Sequence, residues 1–267
     1  MSDAWRFIDS GSCSAAYNMA VDEAIATAVR KDKSPPTLRL YGWNIPYVSI
    51  GCFQKISDID IEYCTERHIM VVRRPTGGRA ILHNHELTYS FSTKTIQGLF
   101  SKGLIDSYKK ISMALGSALS KIGLSPELKL LREARNPSAT RHSRSPLCFQ
   151  STSFGEITIN NKKVVGSAQK RWTDCLLQQG SIPFTINKDE LARIFRLEST
   201  QEVKGAIGLK DIFPRLNTND LKNTIRISFE ETFDTRLISS SPSQGELSLA
   251  QELEAQKYLS YQWNFKR

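Results

Sequence analysis

Apolar residues recur every three or four positions in three parts of this chain, and each part is predicted to be helical. The first helix begins at Ser14, a residue type that caps helices well. The second lies between Gly103 and Gly123. After Asn187 helical spacing dominates, so we expect a mainly helical C-terminal portion at about residues 187–267.

Shorter runs, in which apolar residues alternate with polar ones or follow one another, predict strands. These runs are TLRLYGW from Thr37, YVSIG from Tyr47, IMVV from Ile69, ILH from Ile81, LTYSFS from Leu87 and CLLQQGSIPF from Cys175. The pair Asn160-Asn161 separates two further alternating runs and predicts a tight hairpin, because asparagine tolerates positive φ. Together, the predicted helices and strands indicate an α+β fold with an antiparallel or mixed sheet and helices outside it.

The composition is that of a globular protein, with 40% hydrophobic and 24% charged residues. No apolar run approaches the roughly 20 residues that a transmembrane helix needs. The first residues lack the basic and apolar regions of a signal peptide. We therefore expect a cytoplasmic protein that does not bind membranes, in one domain over residues 1–267.

The chain is basic, with a formal net charge of +9. An excess of this size favours acidic partners. The Lys and Arg residues are scattered, and no helix-turn-helix, zinc-finger or RNP-type motif is present. On charge alone, an acidic protein partner is as compatible as nucleic acid.

The cysteine pattern favours reduced thiols over a disulfide framework, because the five residues are odd in number and far apart. They are Cys13, Cys52, Cys64, Cys148 and Cys175. The nearest approach to a metal motif is His83-x-His85, which would direct two rings to one face of a strand. No third ligand is apparent, so we expect no metal site.

The segment RRPTGGR, residues 73–79, is called the elbow here. Gly77 and Gly78 remove two successive Cβ atoms, which suits either a hairpin turn or the close approach of a ligand to the backbone. The nearby Arg73, Arg74 and Arg79 favour the second alternative, a bound ligand, since exposed guanidinium groups bind anions. Each arginine is equally compatible with a solvated surface charge.

Four motifs together resemble a known family. In chain order they are RRPTGGRAILHNHELTYSF at 73–91, LCF at 147–149, KKVVGSAQKR at 162–171 and QQGSI at 178–182. They are similar to the catalytic domain shared by lipoate–protein ligases, octanoyltransferases and biotin–protein ligases. The opening WRFIDSGSCSAAYNMAVDEAI and the closing YLSYQWNFKR extend the resemblance over nearly the whole chain, towards the octanoyltransferases.

The resemblance implies a mixed, largely antiparallel central sheet with flanking helices, like the class II aminoacyl-tRNA synthetase core. It implies that the arginine–glycine segment lines an acyl tunnel. The matching positions are Arg74, Gly77, Gly78 and His83, and we include Arg73 and Arg79 as substrate-binding residues. Gly166, Ser167 and Ala168 would form the adjoining strand wall, and Lys163 matches the family's catalytic lysine.

The presence of Cys148 distinguishes between two branches of this family, the octanoyltransferases and the ATP-dependent ligases. The resemblance implies that octanoyltransferases of the matched type carry a nucleophilic cysteine in a C-F context after a variable loop, whereas ATP-dependent ligases need none there. Cys148-Phe149 follows the polar, basic segment 132–147 and fits the first branch. A free thiol titrates near 8.5, so nearby positive charge, with Lys163 as the candidate, would favour the thiolate. The other four cysteines are interpreted as inert.

The implied reaction moves an octanoyl group from octanoyl-acyl carrier protein to Cys148 as a thioester. It then passes to a lysine of a lipoyl-accepting protein, either a lipoyl domain or the glycine cleavage H protein. Exchange between thioesters is nearly thermoneutral and amide formation is downhill, so neither ATP nor a metal is expected. Lys163 would also donate to the developing oxyanion.

The elbow and the apolar positions Leu87, Tyr89 and Phe91 are expected to wall a dry slot for the C8 chain. Burial contributes roughly 0.8 kcal/mol per CH₂. We expect a monomer, with basic residues that steer the acidic carrier and acceptor proteins.

Three alternatives stay open on the sequence alone. The first is an ATP-dependent lipoate ligase in which Cys148 is incidental. The second is an amidotransferase that moves octanoyl between two lipoyl-type proteins. The third is a basic nucleic-acid-binding protein on the same fold, which predicts steeply salt-dependent binding. Cys148 and Lys163 argue against this third alternative, so we expect no nucleic-acid partner.

Overall fold

The computed structural model describes residues 4–129 and 156–266, which contain eleven strands in two sheets. The strands are β1 (Trp5–Cys13), β2 (Thr37–Trp43), β3 (Tyr47–Ile50), β4 (Met70–Arg73), β5 (Ile81–His83), β6 (Glu86–Lys94), β7 (Glu127–Lys129), β8 (Glu156–Ile159), β9 (Lys162–Arg171), β10 (Cys175–Pro183) and β11 (Leu237–Ser239).

The large sheet has the order β11-β1-β2-β6-β10-β9-β8-β7. The pairs β11/β1 and β1/β2 are parallel, and the other neighbours are antiparallel. At its centre β10 pairs with β6 over its full length, from Cys175 to Pro183. The predicted mixed, largely antiparallel sheet with flanking helices is confirmed.

The small sheet has the order β4-β3-β5, in which β4 is parallel and β5 antiparallel to β3. The elbow joins β4 to β5, so it crosses over β3 instead of linking two neighbouring strands. The hairpin interpretation of the elbow is therefore wrong. The crossing is close, because a Cβ on Gly51, directly after β3, would lie 1.9 Å from the carbonyl oxygen of Gly78.

Eight α-helices are described in the same residues. They are α1 (Ala15–Arg30), α2 (Ile61–Glu66), α3 (Leu104–Lys121), α4 (Lys188–Ile194), α5 (Leu209–Ile212), α6 (Thr218–Phe233), α7 (Gln244–Leu253) and α8 (Tyr261–Asn264). The predicted helix start at Ser14 is confirmed, since its side chain accepts a hydrogen bond from the Tyr17 amide. Among these helices none is long and apolar enough to cross a membrane.

The hairpin predicted at Asn160-Asn161 is confirmed, with φ values of 50° and 60° between β8 and β9. Residues 187–266 are mainly helical, as predicted, but they also contain the short strand β11. Sequence reasoning missed three strands, β1, β7 and β11. The alternation of β1 is interrupted by a bulge between Asp9 and Ser12, and β11 has only three residues.

Helices cover the large sheet on both faces. On one face α3 and α6 pack over a continuous apolar core that includes Leu40, Phe91 and Phe229. On the other face α1 lies against β6 and β10, and α7 packs on α1. The polar residues of β2 and β6 point to the α1 face, because side chains alternate along a strand.

Candidate active site

A narrow cleft lies on the α1 face of the large sheet, where the small sheet and the elbow meet it. Its lining residues are Met19, Tyr41, Trp43, Ser49, Arg74, Ile81, His83, Thr88, Ser167, Ala168, Gln179, Gly180 and Ser181. Four of the predicted substrate-binding residues, Arg74, His83, Ser167 and Ala168, therefore meet in one place. The free volume is only about 20 Å³, so the walls lie almost in contact.

Arg74 holds the elbow in place. Its guanidinium donates to the carbonyl oxygens of Gly77 and Arg79, both at 2.7 Å, and to that of Ser49 at 3.0 Å. Gly78 adopts φ +85°, and a Cβ there would lie 2.9 Å from Arg74 Nη2. It would also lie 3.4 Å from the Cβ of Ala168, so the elbow and the VGSA segment of β9 touch at this glycine.

A buried histidine–carboxylate pair forms one wall of the cleft. His83 Nδ1 lies 2.8 Å from Glu86 Oε1, and His83 Nε2 lies 2.7 Å from Ser49 Oγ. Trp43 stacks on the His83 ring at 4.0 Å between centroids, and its Nε1 donates to Thr88 Oγ1 at 2.7 Å. Each of these polar atoms has a partner within the wall, which leaves mainly carbon surface facing the cleft.

The charge state of Glu86 follows from these contacts. Burial raises the pKa of its carboxyl, but the His83 charge and hydrogen bonds from His83, Ser181 and Thr88 outweigh burial, and the net pKa is lowered. The group is therefore a carboxylate at neutral pH. Because a carboxylate only accepts hydrogen bonds, His83 Nδ1 carries the proton in this pair.

A second buried network lies behind the cleft, centred on Asp22 of α1. Arg39 Nη1 donates to Asp22 Oδ1 at 2.7 Å, and both side chains are almost inaccessible to solvent. The hydroxyl of Tyr41 and the amide of Gln179 donate to Asp22 Oδ2 at 2.8 and 2.7 Å. Gln179 also accepts from Thr76 of the elbow at 2.9 Å, so this network joins α1, the sheet and the elbow.

The strand wall formed by β9 and β10 is tightly packed. A Cβ on Gly180 would lie 2.2 Å from Tyr89 Cε1 and 2.7 Å from Ser167 Oγ. Tyr89 OH lies 2.7 Å from Ser167 Oγ, and burial raises the pKa of Tyr89 to about 12. Gly166 pairs with Ser181 in the adjacent register position.

Two elbow arginines differ from the sequence interpretation. Arg73 and Arg74 are 0% and 4% exposed, so neither is a solvated charge or an exposed anion site. Arg73 points away from the cleft and fastens the C-terminal segment, with its guanidinium donating to Trp263 O at 3.1 Å and Asn264 O at 3.1 Å. Arg79 is half-buried.

Lys163 is buried near the start of β9 and is not among the residues that line the cleft. It is 2% exposed, which makes its interpretation as a solvated hairpin charge wrong, whereas Lys162 is exposed as expected. Lys163 Nζ donates to Glu156 Oε1 at 2.5 Å. Gly166 lies three positions further along β9, which is about 10 Å at 3.3 Å per residue. Its catalytic role stays a prediction.

Cys148, the predicted nucleophile, and segment 132–147 lie outside the described residues, so Cys148 also stays a prediction. Two of the cysteines interpreted as inert are buried, and burial raises the pKa of Cys64 to about 11 and that of Cys175 to about 12. His83 and His85 do not share surroundings: the first is buried in the cleft wall and the second is exposed.

The apolar wall expected from Leu87, Tyr89 and Phe91 is also wrong, because these side chains belong to the core under α3 and α6 and none of them lines the cleft. Alternation places Glu86 and Thr88 on the cleft side instead. Sequence reasoning missed Trp43, Glu86 and Gln179 as site residues. A usable signal was present for Glu86, a charged residue at the start of a strand whose other positions are uncharged until Lys94.

Comparison with known proteins identifies the family of this chain. Residues 14–229 match the family model described as lipoyl protein ligase A/B catalytic domain. The chain belongs to this family. Within the lipoyl protein ligase A/B family, octanoyltransferase LipM of Anoxybacillus flavithermus is 35% identical over 275 residues, covering 99% of each chain. Octanoyltransferase LipM of Bacillus subtilis is 35% identical over 279 residues, again with 99% coverage of each chain.

Solved structures of the family share the fold. A lipoate–protein ligase A bound with ATP superposes with a TM-score of 0.81 at 22% identity, covering 98% of this chain and 99% of that one. A bipartite lipoate protein ligase of Thermoplasma acidophilum gives 0.80 at 21% identity, covering 98% and 96%. The full-length relatives confirm the prediction of an octanoyltransferase of lipoate biosynthesis.

Proposed function

We propose that this octanoyltransferase takes its acyl group from octanoyl-acyl carrier protein and holds it as a thioester on Cys148. The group then passes to a lysine of a lipoyl domain or of the glycine cleavage H protein. ATP and a metal ion take no part. The observation that carries the proposal is the meeting of the elbow and the VGSA segment in one cleft of a chain whose full-length relatives are octanoyltransferases.

The cleft provides carbon surface for an acyl chain. Its polar groups are bonded to one another, so an apolar tail meets the rings of Trp43 and Tyr41 and the methyl of Ala168. Entry of a C8 chain requires the walls to separate. Met19 is the lining residue that moves at least cost, because its side chain is unbranched and flexible.

Lys163 is proposed to act on the thioester carbonyl. Its ion pair with Glu156 holds the ammonium group between the paired strands β8 and β9. A cation there favours both the Cys148 thiolate and the oxyanion of each tetrahedral intermediate. The basic surface is proposed to steer the acidic carrier and acceptor proteins. We place the reaction in the cytoplasm and treat the enzyme as a monomer.

The test is a transfer assay without nucleotide, in which the pure protein meets octanoyl-acyl carrier protein and an apo acceptor. We expect octanoylated acceptor, lost in Cys148→Ala and unchanged when ATP is added. An absolute requirement for ATP would identify a ligase and contradict the proposal. Product from an octanoylated H protein, but none from acyl carrier protein, would identify an amidotransferase.

A further inference from the structure

A second cavity lies next to the cleft and shares a wall with it. It has a volume of about 230 Å³, and its polar lining is formed by Asn84, His85, Glu86, Ser181, Thr185 and Asn187. It is called the polar cavity here. Ser181 lines both the cleft and the polar cavity, and Glu86 bonds to Thr88 and His83 of the cleft wall.

The polar cavity also lies near the predicted catalytic lysine. Ile186 of its lining packs against Ile81 and Ala206, and Ile81 belongs to the cleft wall. Ala206 forms a backbone bridge with Lys163. The polar cavity is therefore bounded by the cleft on one side and by the neighbours of Lys163 on the other.

The charge of the residues that line the polar cavity determines which kind of ligand the polar cavity can bind. No Lys or Arg is present among the described lining residues, and Glu86 supplies a carboxylate. That arrangement disfavours a phosphate and favours a cation. Within the described part of the chain no cluster of three His, Cys, Asp or Glu residues could hold a metal ion. The volume is below the roughly 300–1,000 Å³ of small-molecule pockets, so it suits a side chain better than a nucleotide.

Glu86 has room for one more donor. Its Oε1 accepts from His83, Trp43 and Thr88, whereas Oε2 accepts from Ser181 Oγ at 2.6 Å and from no other described residue. A carboxylate oxygen offers about two acceptor positions. One acceptor position on Oε2 is therefore left, and Ser181, the residue that bonds to this oxygen, lines the polar cavity.

We propose that the polar cavity receives the ε-ammonium group of the acceptor lysine, with Glu86 as its counter-ion. This inference rests on the proposed function, because the amine is the second substrate of that reaction. The ammonium gives one proton to solvent, and the amine nitrogen then bonds to the carbonyl carbon of octanoyl-Cys148. The C–S bond breaks, the nitrogen loses its second proton to become an amide N–H, and the released thiolate takes up a proton. The products are the octanoyl amide and the free thiol.

The experiment separates the two half-reactions. Octanoyl-enzyme is first prepared from octanoyl-acyl carrier protein and confirmed by intact mass, then mixed at pH 7 with one of two amines. Nα-acetyl-lysine methylamide is a cation, and hydroxylamine is neutral. In Glu86→Gln we expect the rate with the lysine probe to fall at least about tenfold. Because Glu86 also bonds to the cleft wall, each lysine rate is divided by the hydroxylamine rate of the same variant, and this ratio should fall at least about tenfold in Glu86→Gln.

A second variant tests charge without disturbing the buried network. His85 is exposed at the rim of the polar cavity, so His85→Lys adds a cation there. We expect the lysine probe to react several-fold more slowly, with recovery at high salt, and hydroxylamine to be unaffected. Gln251→Lys adds the same charge on α7, at an exposed position outside the polar cavity, and should leave both rates unchanged.

Each outcome of these experiments supports or contradicts either the acceptor-lysine site or the proposed function. The inference would be overturned if Glu86→Gln slowed both amines equally, or if neither Glu86→Gln nor His85→Lys slowed the lysine probe. The proposed function would stand in both cases. Absence of any octanoyl adduct in the unmodified protein would overturn the proposed function first, before an amine is added.

Discussion

The two faces of the large sheet use the same strands for different purposes. On the α3/α6 face, Leu38 and Leu40 of β2 and Phe91 of β6 form an apolar core. On the α1 face, the intervening residues Arg39 and Ser90 bond to Asp22. The apolar face stabilises the fold through burial, whereas the polar face adds fixed charges and hydrogen bonds around the cleft. The difference predicts that substitutions on the two faces separate stability from activity.

The largest effect is expected for Asp22→Ala. The substitution leaves the Arg39 guanidinium buried without its carboxylate, which costs about 3–5 kcal/mol of unfolding free energy. It also frees Gln179 and Tyr41 beside the cleft, so transfer activity should fall in the fraction that folds. Urea unfolding measures the first effect. Asp220→Ala, at an exposed position, is the control, and a loss below 1 kcal/mol in Asp22→Ala would contradict the network's importance.

Gly180→Ala should have the next largest effect, because the new methyl group meets Tyr89 and Ser167 at less than 3 Å. Overpacking of this kind costs about 1–3 kcal/mol. The methyl group would also displace Ser167, which lines the cleft, so KM for the octanoyl donor should rise. Gly245→Ala has no neighbour within 4 Å of its Cβ and should change neither quantity. Steady-state kinetics with unchanged KM in Gly180→Ala would argue against this wall.

Phe91→Leu tests the apolar face. The smaller side chain loses contact with Trp5, Phe100 and Phe229, at a cost of about 1–2 kcal/mol. Because Phe91 points away from the cleft, the transfer rate per folded molecule should be unchanged. A drop in that rate, measured well below the midpoint of thermal unfolding, would mean that the two faces are not separable.

The smallest effect is a pH dependence of stability. The folded pKa of Glu86 is lowered, so its ionised form contributes stability above the unfolded carboxyl pKa of about 4.3. This contribution is lost as pH falls through the folded pKa. Unfolding free energy measured between pH 7 and pH 3 should therefore decline less steeply in Glu86→Gln than in the unmodified protein. Identical slopes would contradict the assigned charge.

Much of the fold followed from sequence periodicity. The helix at Ser14, the long helix α3 and the Asn160-Asn161 hairpin carry strong local signals, and the structure has all three. Strand β11 has only three residues and depends on pairing with β1, which no local pattern reveals.

The site was harder to predict, because its contacts join distant strands. The family resemblance predicts that Arg74 and His83 lie near a ligand, but it does not show that Arg73 is bound by the C-terminal segment 190 residues away. Trp43 and Glu86 meet 43 residues apart, through the pairing of β2 with β6. Strand alternation gives the face of a residue only after the register is known, which is why Leu87 and Phe91 were assigned to the wrong wall.

Intact mass spectrometry of the protein after exposure to octanoyl-acyl carrier protein tests the central claim most directly. The account predicts one octanoyl adduct, formed without ATP and mapped to Cys148 by peptide analysis. The adduct should disappear in Cys148→Ala and persist in Cys52→Ala. No adduct, or an adduct on another cysteine with normal transfer in Cys148→Ala, would contradict the account.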